Sequence, residues 1–446
     1  MEAGAQSRPD LPARSADRPS APSMRPEASG RGPGDFAWVV AGKVAQMGAN
    51  ALLMLLLAQS LDLLTFGLLV TVISGQLLLS RVLLLGVEVG IIRLHTVPEM
   101  SHRIGALQRA GLAVIRWTSS GSILLMLAAV WITHSFDIAS WPMWAVSSVV
   151  VGAVGVALVD YCYSAYLAHL RYRAGSIMHG VVALLRLAVT ALFALLVPQH
   201  PELAFLGYAG SSLIAGLAQT PMLMRGDGGK PDSALVRYLL RYSLWQGGTN
   251  VTVVLSLYQG TFLLDWLGQR VAIGAFGLAL TLSMGFFAIH LAFLEYLQPR
   301  AARLEGLDAL PSFLIRTSGA ALALSLGCVP VAMVIGSVII DLLRPELRGI
   351  APVFYCLSAS MLLLLWQTPL MVVCQYLLRP HLVTVNQVLR VLCVAGLALP
   401  LAPARGAVGM AIAQLAGTTL AAIVLGVQVI LAVRAAGKAE TCPPRR

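Results

Sequence analysis

Thr65-Phe66-Gly67-Leu68-Leu69-Val70-Thr71-Val72-Ile73-Ser74-Gly75 returns, without gaps, as Ala275-Phe276-Gly277-Leu278-Ala279-Leu280-Thr281-Leu282-Ser283-Met284-Gly285. Phe, Gly, Leu, Thr and the final Gly match. The same offset pairs Arg93-Leu94 with Arg303-Leu304, and a slightly shorter one pairs Ile115-Arg116 with Ile315-Arg316. Both copies lie in apolar runs that reach the roughly 20 residues a helix needs to cross a bilayer. Each match is short, but their order along the chain predicts two related halves.

Composition sets the solvent for those halves. Of 446 residues, 58% are hydrophobic and 11% charged, and mean hydropathy is +0.80. A soluble domain carries about a quarter charged residues. A water-soluble fold of this length has no way to cover so much apolar surface, so the chain is read as a membrane protein. The six cysteines form no CxxC pair and sit mostly in apolar runs. They read as small packing residues rather than disulfides or metal ligands.

From Phe36 onward, apolar stretches alternate with short polar breaks. Spans are expected near 36–58, 66–92, 117–135, 143–168, 175–197 and 203–224, then 239–264, 271–296, 317–340, 351–377, 383–403 and 406–433. The expected fold is an all-α integral membrane protein. About twelve transmembrane helices form two six-helix, pseudo-symmetric lobes. Residues 1–34 are rich in Pro, Ala, Ser, Gly and Arg and read as a disordered cytoplasmic tail. Met24 is a second candidate start. The N-lobe is placed at 35–224, a cytoplasmic linker at 225–237, the C-lobe at 238–434 and a second cytoplasmic tail at 435–446. Six spans per half is even, so both halves enter the membrane with the same orientation. Such parallel repeats enclose a substrate cavity between them.

The net charge of +11 is mainly a topology signal. Most Lys and Arg lie in the two tails and in breaks on their side. Opposite breaks hold only Arg270, Arg344, Arg348 and Arg405. The positive-inside rule then puts both termini in the cytoplasm, as in a bacterial inner-membrane protein. No nucleic-acid partner is needed to explain the basic charge.

Lys43, Arg81, Arg186 and Arg390 fall inside the apolar runs. A charge at a helix centre costs about 2.5–3.5 kcal/mol on insertion scales, so each needs a partner or a wet cavity. Arg81 lies twelve residues before Arg93, about 18 Å along a helix, and Arg186 about 16 Å beyond Gly175. Both are too deep to reach the interface. Lys43 and Arg390 can be read as snorkelling to a membrane surface, and Arg390 also as lying in a loop. Asp160 is the clear acid of the first half and can neutralise Arg81 or Arg186. Ser74, Arg81 and Glu88 repeat by sevens, which places them on one face of a continuous helix with Glu88 about 10 Å from Arg81. Lys43, Gln46 and Asn50 form a stripe on the first helix, and Gln246, Thr249, Ser256 and Gln259 line the seventh. His179 and His290 are read as packed polar residues, and Trp141 and Trp144 as an interfacial belt. The candidate site is thus a cationic cavity of Arg81, Arg186 and Lys43. Asp160, Gln46, Asn50, Gln246 and Gln259 supply its polar or charge-balancing groups.

Three further stretches carry a resemblance: Ala58-Gln59-Ser60-Leu61-Asp62-Leu63-Leu64-Thr65-Phe66-Gly67-Leu68, Leu342-Leu343-Arg344-Pro345-Glu346-Leu347-Arg348-Gly349-Ile350-Ala351-Pro352-Val353, and Pro403-Ala404-Arg405-Gly406-Ala407-Val408-Gly409-Met410-Ala411-Ile412-Ala413. They resemble the patterns AR-L-G-EEFGL, L-G-P-E-Y--AAPVL--L and P-xx-G-A-x-G-A-A-x-A of the polysaccharide flippases (Wzx type) of the MOP (multidrug/oligosaccharidyl-lipid/polysaccharide) superfamily. One departure concerns the seventh helix, where the family commonly has Asp or Asn. Here the aligned place is Gln259-Gly260, and Asp265 lies further on. The resemblance implies a protein that moves a lipid-linked oligosaccharide, of the undecaprenyl pyrophosphate type, across the inner membrane by alternating access. It would serve cell-surface polysaccharide (lipopolysaccharide or exopolysaccharide) synthesis, beside membrane lipid and a polymerase or glycosyltransferases. Arginine suits pyrophosphate oxygens.

No cofactor and no metal site is expected. No GxxxxGK[ST] is present, and no Ser/His/Asp constellation stands out, so an enzyme is not expected. Two other readings stay open: an ion-coupled drug or cation antiporter of the same superfamily, and a non-transporting subunit of a polysaccharide synthase.

Overall fold

The structure, a computed structural model, describes residues 33–95, 104–135, 142–169, 171–197, 199–224, 233–301, 304, 309–341, 349–377 and 379–441. Most of the N-terminal tail with Met24, Trp141, residues 225–232 of the linker, Leu342–Arg348 of the resemblance and the last five residues lie outside this set. The elements, in chain order, are all helices: α1 Pro33–Ser60, α2 Leu63–Leu84, α3 Val87–His95, α4 Ile104–Ser135, α5 Met143–Ala168, α6 Tyr172–Leu196 and α7 Pro201–Met224. The second half holds α8 Ser233–Trp266, α9 Arg270–Ala301, α10 Ala309–Asp341, α11 Ala351–Tyr376 and α12 Pro380–Thr441. Eight of these are long and apolar enough to cross a membrane by length and composition.

The last of them is two spans. Its 62 residues would measure about 93 Å, three times a 30 Å hydrocarbon core. Helical geometry fails at Gly406, with φ 56° and ψ −134°. Gly417 on the returning arm packs against Val394 on the outgoing one. Splitting α12 there, and taking α2 with α3 as one broken span, gives the expected twelve.

Packing repeats between the halves. In the first, α1 lies on α6, α2 on α5, and α5 on α7. In the second, α8 lies on the outgoing arm of α12, α9 on α11, and α11 on α12. The duplicated stretches themselves meet: a Cβ on Gly67 would strike the carbonyl of Arg270, and one on Gly277 would strike Val70. The repeated Phe-Gly therefore builds the crossing of α2 and α9, with Phe66 and Phe276 both fully buried beside it. The largest apolar cluster runs across this crossing, from Leu69 and Ile73 to Leu280 and Phe354.

Helix ends follow local chemistry. Asp62 caps α2: its Oδ2 accepts from the backbone N–H of Leu64 (3.2 Å) and Thr65 (3.1 Å). A hydrogen bond from the Thr65 side chain, helped by these backbone ones, holds its carboxyl below the usual carboxylate range. A depressed carboxylate stabilises the fold above its unfolded pKa and loses that contribution as pH falls through the folded value. Asp62→Ala should therefore lower stability by about 1 kcal/mol at neutral pH. The difference from the parent should vanish in acid, as read by thermal unfolding at both pH values.

Four boundaries differ from the sequence reading. Instead of one span over 66–92, the chain breaks at Leu85 (φ 48°) and Gly86 (φ 77°). The cause is tertiary. A Cβ on Gly86 would run into the backbone of Gly247 and Ser243, and one on Gly247 into the backbone of Leu85 and Gly86. Two main chains touch there, and α2 stops to let α8 pass. The helix expected at 117 starts at Ile104, and Ser233–Arg237, placed in the linker, already belong to α8. The C-terminal tail is helical through Thr441, carried by Ala435, Ala436 and Ala439, strong helix formers. Trp144 is not only a belt residue: its ring meets Phe205 edge-on at 4.7 Å.

Candidate functional site: a charged cluster at the lobe seam

Four helices of the first half bring charge inward. Arg81 comes from the last turn of α2, Asp160 from α5, His179 and Arg186 from α6, and Lys43 from α1. Arg81 Nη2 lies 2.8 Å from Asp160 Oδ2. Of the two partners the sequence offered Asp160, the structure selects Arg81. The carboxylate's other oxygen, Oδ1, is 3.8 Å from His179 Nε2. The His179 ring stacks on Tyr163 with centroids 4.0 Å apart. His179 thus joins the Arg81–Asp160 pair from α6. Sequence reading gave His179 only a packing role. Its seven-residue spacing from Arg186 on one face of α6 was the available signal.

Arg186 is buried with only 6% of its surface exposed. Its Nε donates to Ser212 Oγ at 3.1 Å and its Nη1 to Tyr208 Oη at 3.3 Å. The guanidinium also sits 4.8 Å over the Tyr208 ring. Among the described residues no carboxylate pairs with it. The oxygens around it hold it in place without neutralising it.

The second half meets this cluster along α8. Glu88 does not extend the Arg81 face of a straight helix, because the break at Leu85–Gly86 re-aims it. Its Oε1 accepts from Asn250 Nδ2 at 2.8 Å, and Asn250 Oδ1 in turn accepts from Gln246 Nε2 at 3.3 Å. Gln246 is thus tied into the seam as a support for Glu88. Asn250 is the functional-looking residue that sequence reading passed over. Glu88 and Arg81 still bear on each other electrostatically. Three cations, Lys43, Arg81 and Arg186, therefore face two acids, Asp160 and Glu88.

The remaining candidates separate. Gln46 and Asn50 are half-buried on the Lys43 face of α1. Gln259 is buried and donates to the carbonyl of Ser256 on its own helix at 3.4 Å. Among the described residues Gln259 makes no polar contact with the charged cluster. Arg390 departs most from expectation. It neither snorkels nor lies in a loop, and its surface is completely buried. The first arm of α12 continues about 15 Å before it and about 24 Å after it, too far for the side chain to reach either end.

Beside the cluster, a cavity of about 410 Å³ opens between α1 and α9. Lys43 lines it together with Ala288, Ala292, Phe293, Tyr296 and Leu324. It is an apolar cleft with one cation among its lining residues. No metal-ligand cluster occurs among the described residues.

No family model matches the chain, and no curated protein matches it. Solved structures do share its fold. One is the inward-facing conformation of a multidrug resistance MATE family transporter of the MOP superfamily. It has 13% identity and a TM-score of 0.62 over 91% of this chain and 95% of that one. Another is a MOP superfamily transporter from Pyrococcus furiosus, described as having a binding pocket of reverse polarity. It has 12% identity and a TM-score of 0.54, and the match covers 90% of this chain and 96% of that one. An outward-facing MATE transporter matches with 15% identity and a TM-score of 0.51, over 92% of this chain and 98% of that one. At these identities the likeness establishes the fold.

Proposed function

Starting from a fold shared with MOP-superfamily transporters, we propose that this chain is an alternating-access flippase for a polyprenyl-pyrophosphate-linked oligosaccharide. The observation that carries the reading is the junction of two unlike surfaces. Arg186, buried, and Arg81 and Lys43, half-buried, gather in the first lobe. An apolar cleft of about 410 Å³ opens beside Lys43. A lipid pyrophosphate has the same two parts, an anionic head and a hydrocarbon chain. The head suits guanidinium donors in a low-dielectric site. The chain suits the wall of Ala288, Ala292, Phe293 and Leu324.

The cationic excess also argues against a drug or cation antiporter. Such a carrier needs a carboxylate free to take its cargo. Here Asp160 is committed to Arg81, and the cations Lys43, Arg81 and Arg186 outnumber the acids Asp160 and Glu88. The arginine distribution supports placing both termini in the cytoplasm, as in a bacterial inner-membrane protein.

The test uses proteoliposomes loaded with a fluorescent polyprenyl-pyrophosphate sugar, scored for the fraction reached by an external quencher. Protein-dependent transfer of the pyrophosphate lipid, and not of a neutral polyprenol sugar, is expected. Equal transfer of both lipids would refute the cationic-site reading. Efflux of an organic cation driven by a sodium or proton gradient, without lipid transfer, would favour the antiporter.

A further inference from the structure

Arg390 is the most completely buried charge among the described residues, and the seam does not use it. It sits on the first arm of α12, on the face shared with Val383, Asn386, Gln387 and Val394, all buried. That face turns inward: Thr384 beside it meets Thr249 of α8, oxygen to oxygen, at 2.7 Å. His290 of α9, itself bonded to Thr368 at 2.8 Å, lies within the field of Arg390. None of the three guanidinium nitrogens has a hydrogen-bond partner. One turn away, Asn386 is fully buried with neither its amide nitrogen nor its oxygen partnered.

A guanidinium does not give up its proton, so this charge persists. An unpaired charge in a closed interior is among the costliest arrangements a fold can hold, and native structures neutralise it. No carboxylate pairs with Arg390 among the described residues. Four unused donors lie on this face, three guanidinium nitrogens and the Asn386 amide nitrogen, beside two unused acceptors, Asn386 Oδ1 and Gln387 Oε1. Neutral amide oxygens do not cancel a full positive charge, so the surplus of buried donors calls for an acceptor of negative charge. One cation calls for one negative charge, and complete burial calls for a small one.

We propose that Arg390 and Asn386 form a binding site for a small monovalent inorganic anion, of the chloride class, inside the C-terminal lobe. The ion accepts from the guanidinium and the amide and cancels the buried charge. This site is separate from the seam cluster and does not depend on the identity of the transported substrate.

The experiment is a chloride titration of the purified full-length protein, replacing gluconate at constant ionic strength and reading thermal unfolding. A saturable rise of roughly 3–5 °C is expected near hundredfold excess over the dissociation constant. Bromide should substitute for chloride. Arg390→Gln should flatten the response, Asn386→Ala should move it to higher chloride, and Arg186→Ala should leave it intact. An unchanged response in Arg390→Gln would overturn the proposal, as would a wild-type protein indifferent to chloride. Loss of the response in Arg186→Ala alone would move the anion to the seam and also overturn it. Should Arg390→Gln fail to fold, bromide-soaked crystals of the wild type decide the matter. An anomalous peak at the guanidinium supports the site, and a peakless density of water there refutes it.

Discussion

Arg186→Ala should leave a protein that inserts and folds but translocates the pyrophosphate lipid tenfold to a hundredfold more slowly. Arg186 is held by two neutral hydroxyls, Ser212 Oγ and Tyr208 Oη, so its removal leaves no opposing charge unpaired. Hydrogen bonds to a charged group are worth about 1.5–3 kcal/mol, which sets the expected factor. Lysine at this position keeps the charge and loses the planar fork, so Arg186→Lys should recover only part of the rate. Full activity in both variants would remove Arg186 from the transport path.

Arg81→Ala is expected to cut transport as deeply, with a different accompanying signature. It strands Asp160, which is only 16% exposed, so stability should fall as well. The double variant Arg81→Ala with Asp160→Ala removes both charges. Unfolding temperature should then recover while transport stays lost. Recovery of both would make the pair purely structural. The measurements are the quencher assay in proteoliposomes and thermal unfolding of the same preparations.

The second large effect concerns two adjacent glycines of α8. Gly247→Ala should destabilise the protein strongly and abolish transport, whereas Gly248→Ala should be tolerated. A methyl on Gly247 meets the backbone of Leu85 and Gly86, which has no rotamer by which to yield. The same methyl on Gly248 meets nothing within 4 Å. In an ordinary helix each change would gain about 0.8–1 kcal/mol of propensity. Any loss at position 247 therefore reports the contact between lobes. Gly86 has no substitute either, since its φ of 77° compounds the close approach with backbone strain. Displacing α8 there also pulls Asn250 from Glu88, three residues further along the same helix. Equal unfolding temperatures for the two alanine variants would show that the seam tolerates separation.

The number of helices and the duplication were legible in the sequence because both rest on local composition. Apolar length decides whether a segment enters a bilayer, and the repeat of Phe66-Gly67 at Phe276-Gly277 is readable letter by letter. Arg186 stands in the middle of its helix as its position in the apolar run suggests, whereas the break at Leu85–Gly86 removes the continuous helix on which the depth of Arg81 is reckoned. Helix ends were less legible, as α4 and α8 show, because apolarity fades before helical hydrogen bonding does.

Partnership between side chains was decided only by the tertiary structure. The sequence brought Asp160 to the same depth as two arginines, and inter-helix packing chose Arg81. The break at Gly86 turned Glu88 from a neighbour on the Arg81 face into the acceptor for Asn250, 162 residues distant in the chain, beside the backbone contact of Gly86 with Gly247. Arg390 looked like a surface-seeking charge until its helix was enclosed between α8 and α11. Periodicity says how far along a helix a residue lies and which neighbours share its face. Which way that face turns is set by helices hundreds of residues away, and there the chemistry of this protein was decided.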